Sequence, residues 1–125
     1  MEIEKEFIPY EQALVLKELG FDKPCMRGWY KNLEIWYHPD SDIILDNPTF
    51  SQAFRWFRNK YKLQCYPMLD TENIYWCLFS DGIGSGFLMK DGDYGYDSEN
   101  HLEFKAYEEA ELECLKKLIE IIKNK

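Results

Sequence analysis

The stretch Thr49–Leu63, TFSQAFRWFRNKYKL, constrains this chain more than any other. Phe50, Ala53, Phe54, Phe57 and Tyr61 recur at spacings of three and four, which puts them on one face of a helix. Pro48 and Thr49 precede it, and Thr49 is the expected N-cap, its hydroxyl accepting from a free N–H of the first turn. A helix with so many rings on one side must sit against a core. Its other side is basic: Arg55, Arg58 and Lys62 form a strip away from the rings, with Trp56 on the flank and Lys60 close by. The segment holds no acid, although the whole chain carries a net charge of −8.

Two more helices are expected. Residues 9–19 read as the first, with Pro9 at its start, Glu11 where the helix dipole favours an acid, and Gly20 as a left-handed stop. Val15, Leu16 and Leu19 share one side. The last runs from Tyr107 to Asn124, with Tyr107, Ala110, Cys114, Leu115, Leu118, Ile121 and Ile122 on a wide apolar face. Glutamates crowd its start and lysines its end, and Glu113 with Lys117 makes an i,i+4 pair. Lys105 and Ala106 stand where a capping side chain is favoured, so this N-terminus is poorly capped.

Between the helices the period falls to two. Met26–Tyr30 and Leu33–His38 read as strands joined by a turn at Lys31-Asn32, and Ile43–Leu45 as a third after the Pro39–Asp42 turn. Gln64–Met68 is an expected edge strand, because Pro67 cannot donate to an interior ladder. Ile74–Phe79 is apolar on both faces and is expected to be central in a sheet covered on both sides, or at an interface. Phe87–Met89 returns after a glycine-rich turn, and Leu102–Phe104 is a further short strand. The expected fold is a single α+β domain, residues 1–125, with three helices packed on a mostly antiparallel sheet of five or six strands. A length of 125 residues suits one domain. The aromatic share of 17% lets few residues build its core and leaves rings for interfaces.

Several chemistries are tested by spacing. Gly82, Gly84 and Gly86 form G-x-G-x-G, but a phosphate loop needs a helix after it and a strand follows here, so a hairpin is expected. Asp91, Asp93, Asp97, Glu99 and Glu103 form an acidic run without Lys or Arg. The calcium-loop pattern fails in it, since glycine falls at loop position 5 and no Glu closes position 12. Cys25, Cys65, Cys77 and Cys114 lack paired spacing and, with only His38 and His101 to add, make no zinc motif; buried free thiols are expected. His38 near Asp40 and Asp42 could assemble a His–carboxylate pair, yet no nucleophile elbow, zinc-protease helix or nucleotide loop is present. The expectation is no enzyme, no metal and no cofactor.

The negative net charge argues against duplex DNA as a partner. No apolar run reaches membrane-spanning length, and the acidic MEIEKEF start is unlike a secretory signal, so a cytoplasmic setting is expected and no membrane partner. What is left is binding. The strip Arg55, Arg58 and Lys62 with Trp56 is one candidate surface. Tyr94 and Tyr96, inside the acidic run, are the other, suited to a basic partner or to mimicry of a nucleic-acid surface.

Three blocks carry a resemblance. Phe7-Ile-Pro-Tyr-Glu-Gln-Ala13 with Leu16-Lys-Glu-Leu-Gly-Phe-Asp22 and Pro24-Cys25 is the first. Ser51-Gln-Ala-Phe-Arg-Trp-Phe-Arg58 with Tyr61 is the second, and Tyr107-Glu-Glu-Ala-Glu111 with Cys114-Leu-Lys-Lys-Leu-Ile119 the third. Together they resemble a family of small uncharacterised proteins encoded by phages and prophages of gut bacteria. The blocks cover the three helices, under half of the chain, and the strand regions do not align. Lys105-Ala106 replaces the Thr or Ser expected before the third block. The resemblance implies a mobile-element origin and a cytoplasmic setting, and brings no activity or cofactor. The leading expectation is a non-enzymatic phage or prophage accessory protein that binds a host or phage macromolecule, with a protein partner foremost. The alternative is a small anionic ligand of nucleotide type, held by Arg55 and Arg58 with an aromatic for stacking.

Overall fold

In a computed structural model of the chain, residues 3–23, 25, 27–29, 34–37, 45–70, 72–96 and 99–124 are described. The chain clusters into two compact units, Met1–Ala53 and Phe54–Lys125. The α+β class is as expected, with three α-helices among the described residues. The described strands form two antiparallel sheets, one of three strands and one of four, in place of the single sheet of five or six.

In the first unit a 3-10 turn, Ile3–Glu6, precedes helix α1, Tyr10–Glu18. Pro9 is the N-cap in place of the first helical residue, so α1 starts one residue later than expected. Gly20 (φ 100°) ends α1: its N–H donates to the Lys17 carbonyl (3.1 Å) and the Phe21 N–H to that of Leu16 (2.9 Å). These two bonds define a Schellman stop, which needs a residue without a Cβ clash at the left-handed position. Ala13 and Leu16 are the buried residues of α1, whereas Val15 and Leu19 are half-buried.

Strands β1 (Arg27–Trp29), β2 (Ile35–Tyr37) and β3 (Leu45–Asp46) form the small sheet in the order β2-β1-β3. Trp29 lies opposite Ile35 on one side and Leu45 on the other. The expected turns at Lys31-Asn32 and Pro39–Asp42, and the pair of His38 with Asp40 or Asp42, fall outside the described residues. A polar knot sits among the buried apolar residues of this unit. Arg27, 3% exposed, donates from Nε to Asn47 Oδ1, and its guanidinium carbon lies 3.9 Å from the centre of the Phe7 ring. Asn47, fully buried, donates from Nδ2 to the Ile8 carbonyl (2.9 Å), and its N–H donates to the Arg27 carbonyl (3.0 Å).

Helix α2, Phe50–Tyr61, crosses from one unit into the other. Thr49 caps it as expected, and Gln52 completes a capping box: the Gln52 N–H donates to Thr49 Oγ1 (3.1 Å) and the Thr49 N–H to Gln52 Oε1 (3.0 Å). Phe50, Ala53 and Phe57 are buried on the expected face, with Phe54 and Tyr61 half-buried.

The second unit holds β4 (Gln64–Leu69), β5 (Tyr75–Ser80), β6 (Ser85–Leu88) and β7 (Tyr94–Gly95) in the order β4-β5-β6-β7. The edge and central expectations for β4 and β5 are met. Hydrogen-bond direction explains how Pro67 is tolerated. The Asp70 N–H donates to the Ile74 carbonyl (2.9 Å), and that of Tyr75 to Phe104 on the opposite side (2.8 Å). Backbone groups of even-numbered β4 residues therefore point to β5, and those of 65, 67 and 69 point outward. Pro67 thus lacks a donor only on the side where no strand needs one.

The glycine-rich stretch is the expected hairpin. Gly82 has φ +87°, and Asp81 Oδ1 accepts from the N–H groups of Ile83 (2.9 Å) and Gly84 (2.8 Å). At Gly86 a Cβ would stand 2.9 Å from the backbone nitrogen of Gly95, so β6 and β7 approach where only glycine fits. The segment expected as a strand at Leu102–Phe104 instead makes isolated bridges, His101 to Met89 and Phe104 to Tyr75.

Helix α3, Tyr107–Lys123, packs on β4 and β5 and has no capping side chain, as expected. Its buried residues are Ala110, Cys114, Leu115, Lys117, Leu118 and Ile119. Ile121 and Ile122 are half-buried and Tyr107 is 44% exposed. Lys117 is drawn inward because its ammonium donates to the Gly92 carbonyl; its carboxylate neighbour is Glu120 (3.8 Å), and Glu113 pairs with Lys116 (3.5 Å) in place of Lys117.

Candidate functional site

The two candidate surfaces fare differently. Arg55 and Arg58 are exposed on α2 and, among the described residues, their side chains make no hydrogen bond or ion pair. The acidic run at 91–103, which could have neutralised them, makes no described ion pair with either; Asp97 lies outside the described residues. Trp56 is not at their side as an open flank. It is 5% exposed, set edge-on to Phe57 (5.0 Å) and Tyr61 (5.5 Å), with the Lys60 ammonium 5.1 Å from its ring centre. The apolar arc of α2 is wider than the ring spacing alone defines, and Trp56 falls within it. Lys62 also leaves the strip. It follows the last helical residue in a left-handed conformation (φ 60°), and its ammonium donates to the Asn59 carbonyl (3.3 Å). Two arginines remain of the basic surface.

Tyr94 and Tyr96 part company as well. Tyr94 belongs to β7, where pairing with Leu88 turns its ring against Phe79 (4.4 Å between centres). Its hydroxyl donates to Asp81 Oδ2 (3.4 Å), and the charge of that carboxylate raises the Tyr94 pKa above its ordinary value. The N–H groups of Gly84 and Ile83 hold the Asp81 carboxyl below the usual carboxylate range. Tyr94 is therefore half-buried and tied into the fold by these contacts. Tyr96 is 69% exposed, its hydroxyl 2.6 Å from that of Ser85.

Tyr96 stands on a larger feature, of which the doubly apolar Ile74–Phe79 alternation showed one strand. Cys65, Cys77 and Phe79 are buried on the side of the sheet that α3 covers, where Cys77 Sγ donates to the Ala110 carbonyl (3.4 Å). Strand alternation sends Tyr66, Met68, Trp76, Leu78 and Phe87 to the other side. Tyr66 is 43% and Met68 40% exposed, and the other three are half-buried. Trp76 and Phe87 meet edge-on at 5.1 Å, and Tyr96 continues the row at 6.2 Å from Phe87. A sheet with one face closed by a helix and a row of rings on the other has the make-up of a contact surface.

His101 lies within this row. It is 4% exposed, its ring centre 3.9 Å from that of Trp76 and 6.2 Å from that of Phe87. Among the described residues, neither of its ring nitrogens, nor Trp76 Nε1, has a hydrogen-bond partner. Glu103 Oε1 approaches Nε2 at 3.5 Å, an ion-pair distance without hydrogen-bond geometry. His101 entered the sequence reading only as a weak zinc ligand, because its neighbours Trp76 and Phe87 are remote in the chain.

Cys65, Cys77 and Cys114 are buried and Cys25 is half-buried. Hydrogen bonds with the thiols of Cys65 and Cys77, together with burial, push the Cys114 thiol far above its ordinary range. Burial, with the Asp46 carboxylate adding to it, pushes Cys25 up to about 12. All four cysteines are free, and among the described residues no group of three His, Cys, Asp or Glu side chains is arranged to hold a metal ion. Likewise no described helix is long and apolar enough to cross a membrane. No protein-family model, no curated protein and no solved structure matches this chain.

Proposed function

We propose that this chain is a non-enzymatic accessory protein of phage or prophage origin that binds a host or phage protein in the cytoplasm. Its contact surface is the outer face of the β4–β7 sheet. The observation that carries this reading is the 69% exposure of Tyr96 at the end of a row of rings, with Tyr66 and Met68 also open on that face. The ring area left in water gains nothing from burial in the fold and gains most when a partner covers it. The test immobilises the full chain, compares proteins retained from host lysate, and repeats this with Met68→Ser/Tyr96→Ser and with Arg55→Glu/Arg58→Glu. Loss of a retained protein in the first variant alone supports the sheet face. Loss in the second alone moves the contact to α2, and retention by both removes the reading.

The second reading, a small anionic ligand of nucleotide type, keeps support from the two exposed arginines, which have no described ion pair. Trp56, beside these arginines in the chain, is buried, and half-buried Tyr61 is the ring of α2 left for stacking. It predicts a thermal-shift gain equivalent to about 2.7 kcal/mol at a hundredfold excess of nucleotide over Kd. A flat nucleotide panel ends it.

A further inference from the structure

We propose that Ile83, at the tip of the β5–β6 hairpin, enters an apolar pocket of the partner protein whose rim presents hydrogen-bond donors. The inference rests on reading the β4–β7 sheet as the part of the chain that meets a protein. It adds the anchor and the chemistry that receives it. Ser85, two residues along from Ile83, ties the tip to the proposed face, since its hydroxyl lies 2.6 Å from that of Tyr96.

Two features of the tip have no use in the fold. Ile83 is 98% exposed, more than any other large apolar side chain among the described residues. Gly84 has no left-handed φ, and a Cβ built on it would meet no atom within 4 Å, so neither conformation nor space calls for glycine there. Gly82, at φ +87°, is the glycine that the turn itself requires. A missing side chain where the fold has room for one leaves space for another main chain to come close. The tip is also held in place beforehand. Asp81 Oδ1 accepts from the N–H groups of Ile83 (2.9 Å) and Gly84 (2.8 Å), and the Asp81 N–H donates to the Gly84 carbonyl (3.2 Å). Little ordering is then left to be done on binding.

The polar groups of the tip select the pocket. The N–H groups of Ile83 and Gly84 are taken by Asp81, and that of Gly82 reaches Ser80 Oγ at 3.4 Å. An anion therefore meets no free donor on this glycine-rich loop. The carbonyls of Gly82 and Ile83 accept no hydrogen bond among the described residues. A pocket that covers the Ile83 side chain must bring donors to these two carbonyls, because burying them unpaired offsets the gain from the apolar contact. A lipid surface fits poorly: residues 81–89 hold one acid and no Lys or Arg to meet headgroups.

The test identifies and purifies the protein that the full chain retains from host lysate, and measures its Kd for wild type and variants by calorimetry. Ile83→Ser should weaken binding by about tenfold or more, and Ile83→Val, one methylene smaller, by about fourfold. Gly84→Ala should weaken it by about fivefold or more through the Cβ it adds. All three should melt with the wild type, because the fold uses neither the Ile83 side chain nor the space beside Gly84. Leu69→Ser alters another exposed apolar residue (54%), at the end of β4 away from this hairpin, and should leave Kd unchanged. The carbonyl carbon shifts of Gly82 and Ile83 should move downfield in the complex as donors reach them. Full affinity in Ile83→Ser or Gly84→Ala, an equal loss in Leu69→Ser, or unmoved carbonyl shifts would each overturn the proposal. Loss in Met68→Ser/Tyr96→Ser alone would then keep the sheet face as the contact without this anchor, and a lysate that yields no retained protein ends both readings. Binding to phosphatidylcholine vesicles, or self-association in sedimentation equilibrium, that Ile83→Ser abolishes would assign the side chain to lipid or to a second copy and overturn the protein pocket.

Discussion

Arg27 and Asn47 hold each other twice: the Arg27 Nε donates to Asn47 Oδ1, and the Asn47 N–H donates back to the Arg27 carbonyl at 3.0 Å. The same Asn47 side chain also supplies the donor for the Ile8 carbonyl at 2.9 Å. Truncating it leaves a buried guanidinium nitrogen and a carbonyl without these partners. Asn47→Ala should therefore cost about 2–4 kcal/mol, above the value of an ordinary hydrogen bond, because one of the groups left behind is charged. Urea denaturation followed by circular dichroism measures this, and a loss below about 0.5 kcal/mol would show that the knot contributes little.

The two ends of α2 predict changes of opposite sign. Thr49→Ala removes the hydroxyl that accepts the Gln52 N–H (3.1 Å) and should destabilise by about 1 kcal/mol. At the other end Lys62 sits at φ 60°, a conformation costing an L-residue about 1–2 kcal/mol. Lys62→Gly should relieve that strain, and after the added chain entropy of glycine the net gain is about 0.5–1 kcal/mol. Thermal melts of both variants would disagree with this account if the signs matched.

His101 gives a test in which a larger apolar ring is tolerated. It is 4% exposed and packed on Trp76, and among the described residues neither ring nitrogen has a hydrogen-bond partner. His101→Phe exchanges two unpartnered polar atoms for an edge-capable ring of similar shape and should be neutral or stabilising by up to about 1 kcal/mol. His101→Ala should cost about 2–4 kcal/mol through the cavity it leaves between Trp76 and Phe87. If His101→Phe were instead as damaging as His101→Ala, the imidazole nitrogens would have a partner, such as a buried water, which a structure of the wild-type protein at high resolution would show.

What the sequence made legible follows chain distance. The Thr49 cap, the Gly20 stop and the Asp81–Gly84 turn are local, and each was readable because a few adjacent residues set the hydrogen bonds. Pro67 identified an edge strand for the same reason. The split into two sheets was not readable, since it depends on Trp29 facing Leu45 and Cys65 facing Phe79, pairings that no local spacing records. Burial of Arg27 depends on Asn47, 20 positions away, and the meeting of Cys65, Cys77 and Cys114 depends on strand register and the seating of α3. Composition misled at Tyr94: an acidic run reads as solvated, yet pairing with Leu88 turned that ring inward, and only Tyr96 kept its candidacy.

Asp81 predicts a pH dependence. Its carboxyl is held below the ordinary value of 3.8 by the N–H groups of Gly84 and Ile83, with the Tyr94 hydroxyl adding to them. A group whose pKa is depressed in the folded state contributes stability above its unfolded pKa and loses it as pH falls through the folded one. The window therefore opens at about pH 4 and extends downward, toward the folded-state value. In Asp81→Asn the side-chain oxygen can still accept from the turn, but it cannot titrate and carries no charge. The variant should melt below the wild type near pH 6, and the difference should shrink as pH drops below about 4. A gap in melting temperature that stayed constant from pH 6 to pH 3 would mean that the Asp81 charge, as distinct from its hydrogen bonds, does not stabilise the hairpin that joins β5 to β6.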